Sequence, residues 1–239
     1  TLPEASADLI GQTVRDVAAH EFFHIVTPLN IHSEEIGQFN YIEPKMSKHL
    51  WLYEGCTEYA AMHVQVKHGL YGVDRFLLEI KDKIEVRDEF PIDVPFTEMS
   101  EKILEPDYEP MYSNVYYKGA LIGMCLDLQL LKLSKGEYDL QSLMRDLSEK
   151  YGPTRSFKDD QLFDEIQNLT FPEVGDFLRT YVAGPDSLPL QEHLSWAGIN
   201  YKPFEEYEDF TLAKFIDIAD VRNNDVSFFI YYNTNIAKG

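Results

Sequence analysis

Two histidines four residues apart, His20 and His24, fall inside an apolar repeat that fits a helix. Leu9, Ile10, Val14, Val17, Ala18, Phe22 and Ile25 follow a 3.6-residue period, which predicts a helix over 7–25 that Pro28 stops. On such a helix, side chains four apart lie about 40° apart around the axis and one turn along it. The two imidazoles can therefore converge on one divalent cation. Glu21 sits beside them on a different radial line. It is placed less as a ligand than as a general base for a water beside that ion. The bland alternative is a pair of histidines on an amphipathic helix, hydrogen-bonded to neighbours.

The pattern stays helical for most of the chain. Helices are predicted over about 48–68, ending at Gly69, and over 72–86, 115–133 and 139–150. Shorter ones follow at 159–168, 172–182 and 190–196. Residues 88–110 carry four prolines and read as loop. After Gly198 the character changes. Residues 210–232 are rich in Val, Ile, Phe and Tyr, with Asn223-Asn224 as a candidate turn between two strands. The acidic run 205–209 reads as a solvated linker. The expected architecture is thus mainly α: a helical domain over 1–198, then a β-rich segment over 199–239.

Charge narrows the partners. Forty-one acidic against 21 basic residues leave a formal charge of −20. Such a surface repels phosphate backbones and anionic lipid, so neither nucleic acid nor a membrane surface is expected as partner. No apolar run approaches the roughly 20 residues that span a bilayer. Cys56 and Cys125 cannot build a disulfide framework and read as buried thiols. The chain opens Thr-Leu-Pro without Met and is expected to be a piece of a longer protein.

A catalytic zinc takes three protein ligands and keeps one position open. No third histidine stands at short spacing from the pair. Glu54 is the candidate: it lies among Trp51, Leu52 and Tyr53, where an acid is costly to bury unless it meets a cation. Glu58, one turn further on, either accepts the outer N–H of a ligating histidine or is a solvated acid on the helix face.

His20-Glu21-x-x-His24 followed after 29 residues by Glu54-Gly55-x-Thr57 resembles the glycyl aminopeptidases among the gluzincin metallopeptidases. Ile31, Glu35, Gly37, Phe39 and Tyr41, ahead of Leu50-Trp51-Leu52-Tyr53-Glu54-Gly55, agree with that family's pattern. The resemblance implies a thermolysin-like catalytic domain over 1–198, one Zn2+ held by His20, His24 and Glu54, and a peptide substrate. It further implies aminopeptidase cleavage beside small N-terminal residues. Tyr116-Tyr117-Lys118-Gly119 resembles the Tyr-x-Lys-Gly segment of related aminopeptidases, which assigns Tyr116 to the tetrahedral intermediate. The carboxylates that bind a substrate amino group are expected upstream of this piece. The tail resembles the opening strands of a PDZ-like domain; a β-hairpin packed on the helical domain is the other reading. The family implies a bacterial periplasmic or envelope setting. An endopeptidase, a hydrolase of a non-peptide bond and a non-catalytic gluzincin-like scaffold remain as rival functions. The intact Glu21 and three ligands argue against the scaffold.

Overall fold

A computed structural model describes residues 6–206 and 211–217. Its described part is mainly helical. Ten α-helices run in order: α1 Ala7–Phe23, α2 Glu34–Gly37, α3 Cys56–Lys67, α4 Val73–Arg87, α5 Phe96–Glu101, α6 Asn114–Ser134, α7 Leu140–Lys150, α8 Leu162–Leu169, α9 Pro172–Phe177 and α10 Leu190–Trp196. Strands β1 Asn200–Glu206 and β2 Thr211–Asp217 pair antiparallel, with Asn200 opposite Asp217 and Glu206 opposite Thr211.

The hub is α6. It is apolar nearly all round, as a helix enclosed on every side must be. Leu121, Ile122, Leu126 and Leu130 on it are fully buried. Around it pack α3, α4, α7, α9 and α10, and β1 rests on α10. The helix ends follow the local chemistry. Asp139 caps α7 by accepting from the Ser142 N–H at 2.8 Å. Gly69, in the left-handed region at φ 70°, closes the turn after α3.

Four expectations need correction. The helix predicted over 48–68 divides into a single π-helical turn, Trp51–Gly55, and α3. The stretch predicted over 172–182 divides likewise into α9 and a π-helical turn, Leu178–Val182. The proline-rich 88–110 is not all loop: α5 and a 3-10 turn, Glu109–Met111, lie within it. Phe96, Met99 and Ile103 bury three apolar side chains there, enough to hold a short helix between prolines. Glu205 and Glu206, read as linker, are in β1, whose backbone pairs with β2. The Asn223-Asn224 turn and most of the PDZ-like reading lie outside the described residues.

Candidate metal and catalytic site

The site forms where the end of α1 meets the π turn, α3 and the first turn of α6. Asp16 fastens α1 in place. Its carboxylate accepts from Arg75 of α4 at 2.8 Å and from Gln65 of α3 at 3.1 Å. The helix stops at Phe23, and the chain tightens so that the His24 N–H donates to Glu21 C=O at 3.2 Å. His24 therefore sits just beyond the helix proper, one turn after His20. The two rings stand edge to face with centroids 4.9 Å apart.

Both imidazoles turn Nε2 toward one carboxylate oxygen. Glu54 Oε2 lies 3.3 Å from His20 Nε2 and 3.7 Å from His24 Nε2. The outer nitrogens are anchored separately. His20 Nδ1–H donates to Glu58 Oε2 at 2.8 Å, and His24 Nδ1–H donates to the Thr27 carbonyl at 2.9 Å. Thr27 is itself buried and bonded to Thr57, two residues ahead of Tyr59 on α3. A histidine whose Nδ1–H is so committed has its Nε2 lone pair left for a cation. Glu21 is exposed, yet its carboxylate, with His20 and His24, offers ligand atoms all within 4.8 Å of one another.

Charge in this cluster is lopsided. Burial disfavours a charged His20, but hydrogen bonds and charge from Glu54 and Glu58 prevail and raise it to about 9. Burial would raise Glu58, while His20 and Lys83 hold it down at about 2. The His20 ring thus lies between two acids that favour a positive charge. Two Nε2 atoms facing one carboxylate oxygen, with the outer nitrogens tied to oxygen, form a donor set suited to zinc.

Tyr116, in the first turn of α6, packs its ring 5.6 Å from His20 and 6.0 Å from Tyr112. Burial, a hydrogen bond with Tyr112 and the Glu54 charge push its phenol well above the usual value. It therefore keeps its proton and remains a donor. Lys118 reaches away from the site toward the Val94 carbonyl, and burial beside Arg87 lowers it to about 8.

The structure brings His20, Glu21, His24, Glu54, Glu58 and Tyr116 together at one place. The remaining histidines do not join them. His49 is buried, its Nε2 bonded to the Asp159 carbonyl at 2.9 Å and its Nδ1 accepting the Trp51 indole N–H at 3.0 Å. That network holds the loop leading into the π turn. Cys56 and Cys125 are buried free thiols. Two features escaped sequence reading. One is Lys83, which donates to Glu58 Oε1 at 2.7 Å. The other is the contact between Gly55 and Gly119. The Glu-Gly and Lys-Gly dipeptides hinted at the second; a lysine in the middle of α4 carried no signal for the first.

Comparison with known proteins agrees with the motifs. The profile of the M61 glycyl aminopeptidase family matches residues 13–122, which hold every residue of the site. Over that stretch the chain is glycyl aminopeptidase-like. Among solved structures, an aminopeptidase N family protein from Idiomarina loihiensis has the same fold, with a TM-score of 0.74 at 24% identity. The match covers 84% of this chain and 36% of that one, so the chain spans about a third of that protein's length. No curated protein matches. Among the described residues no helix is long and apolar enough to cross a membrane.

Proposed function

We propose that residues 1–198 form the catalytic unit of a zinc-dependent peptidase. Its action would be that of an aminopeptidase on peptides with small N-terminal residues. The observation that carries this reading is the convergence of His20 Nε2 and His24 Nε2 on Glu54 Oε2, at 3.3 and 3.7 Å. His20, His24 and Glu54 would hold the ion, which when bound supplies Lewis acidity toward water and the peptide carbonyl. Glu21, exposed beside the two histidines, accepts the proton of the attacking water and returns it to the departing amine. Tyr116 donates its O–H to the oxygen on which charge develops, a contribution worth a few kcal/mol in a site of this type. Glu58 keeps the His20 ring from turning.

The preference for small N-terminal residues rests on the family resemblance over residues 13–122. Two measurements test the proposal. Elemental analysis of the purified protein should find about one zinc per chain, and Glu54→Gln should lose it. A panel of peptides varied at the first residue should be cleaved fastest with Gly or Ala there. Zinc retained in full by Glu54→Gln, or no cleavage of any panel member by the zinc-loaded protein, would overturn it.

A further inference from the structure

We propose that Lys83, from the middle of α4, is a positioning residue for the metal site, acting through Glu58 on His20. The inference rests on the reading of His20, His24 and Glu54 as zinc ligands. Its basis is a three-member chain. His20 Nδ1–H donates to Glu58 Oε2 at 2.8 Å, and Glu58 Oε1 receives the Lys83 ammonium at 2.7 Å. Each oxygen of Glu58 thus has one partner, and the two partners come from different helices, α1 and α4. A carboxylate held at one oxygen alone can swing about its Cγ–Cδ bond. Held at both, it presents a fixed acceptor to the imidazole.

Lys83 is buried, with only 9% of its side chain exposed. In a chain with twice as many acids as bases, a lysine buried beside a metal site needs a reason. Its surroundings supply one. The ammonium lies 5.5 Å from the centre of the Tyr117 ring, within the range of a cation–π contact. Tyr117 follows Tyr116 on α6, so adjacent residues serve two parts of the site: Tyr116 packs beside His20 and Tyr117 seats Lys83. A fixed Glu58 keeps the His20 Nδ1–H bond made, and the bond aims Nε2 at the Glu54 oxygen.

Two effects of Lys83 on zinc oppose each other, and their signs differ. As a nearby positive charge it repels a divalent cation, so charge removal alone should tighten zinc binding. As the anchor of Glu58 it organises a ligand, so its loss should weaken binding, by about tenfold on the scale typical of such outer partners. Positioning is the larger effect here, because the ammonium contacts Glu58 directly and reaches the ligands only through it.

Zinc affinity, measured by competition with a chromogenic chelator, is the direct test. Lys83→Met should bind zinc about tenfold more weakly, and its metal-free melting temperature should also fall because Glu58 loses its partner; zinc affinity is therefore compared at a temperature where the metal-free variant is folded. Lys83→Arg, which keeps charge and donor, should recover most of the affinity. Glu58→Gln should weaken binding comparably, and Lys83→Met added to it should cost little more. The cobalt-substituted Lys83→Met protein should show an altered visible spectrum. Unchanged or tighter zinc binding in Lys83→Met, or full additivity with Glu58→Gln, would overturn the proposal. Lys83→Gln carries the same expectations if Lys83→Met does not fold. His24→Ala serves as the control for the underlying reading: if it keeps full zinc affinity, the ligand assignment fails, whatever Lys83 does.

Discussion

Gly55 and Gly119 meet backbone to backbone. A Cβ built on Gly55 would lie 2.4 Å from the Gly119 carbonyl carbon, and one built on Gly119 would lie 2.9 Å from the Gly55 Cα. Gly55 directly follows Glu54, and Gly119 stands one turn after Tyr116. The contact therefore presses the π turn onto the start of α6 and brings the acid and the phenol to one site. Two short motifs, more than 60 residues apart in the chain, are joined by two absent side chains.

Gly119→Ala should show the cost. The new methyl group would lie 2.9 Å from the Gly55 Cα, too close for two carbons, with the Phe96 ring in ordinary contact at 3.5 Å, so the π turn and α6 must separate. Overpacking of this kind costs about 1–3 kcal/mol. Urea unfolding should register that loss, and turnover should fall at saturating zinc because Tyr116 retreats from Glu54. Wild-type stability with wild-type turnover would show that the contact is not needed.

Glu21→Gln separates proton transfer from metal binding. The three ligand atoms remain, so zinc content should stay near one per chain. Turnover should drop by about 10²–10⁴-fold, the range for removal of a general base. A variant that hydrolyses peptides at the normal rate would exclude Glu21 from the chemistry.

Tyr116→Phe removes one O–H and little else, since the ring packs beside His20 and Tyr112. A donor aimed at a developing oxyanion acts in the transition state. Its loss should lower kcat by about 10²–10³-fold and leave KM and zinc affinity nearly unchanged. A rise in KM at constant kcat would instead make Tyr116 a substrate-binding residue.

Asp127 on α6 predicts a pH dependence of stability that does not involve the proposed ligands. It is buried, and burial raises its carboxyl to about 6, even though the Tyr59 O–H and Leu140 N–H donate to it at 2.6 and 2.7 Å. The pKa is higher folded than unfolded, so the fold favours the neutral acid. That contribution is complete below about 4 and is lost as pH rises through about 6. Relative to Asp127→Asn, the metal-free wild type should therefore lose about 3 kcal/mol of stability between pH 4 and 7. Parallel stability curves for the two proteins across that interval would refute it.

Much of the site was legible before any coordinates. His20, Glu21 and His24 announced themselves because helical spacing alone puts them side by side. Glu54 stood out because an acid among Trp51, Leu52 and Tyr53 is costly to bury without a cation. What the sequence hid has one cause: it depends on contacts between distant elements. The π turn at Trp51–Gly55 has the same apolar pattern as an α-helix, so periodicity could not distinguish them. Lys83 lies among charged residues of α4, and nothing local sets it apart from Lys81, which pairs with Glu85 on the same helix. The α5 helix was obscured by prolines on both sides, although Phe96, Met99 and Ile103 carried its spacing. Glu205 and Glu206 looked like linker because a run of acids says nothing about pairing with a strand further along.

The His20 ring is gripped at both nitrogens, by Glu54 on one edge and Glu58 on the other. Turning it over would set carbon against two carboxylates at once, so the imidazole acts as a locked axle. Glu21 is the most exposed of the site's acids, while Glu54 and Glu58 keep 18% and 25% of their side chains exposed.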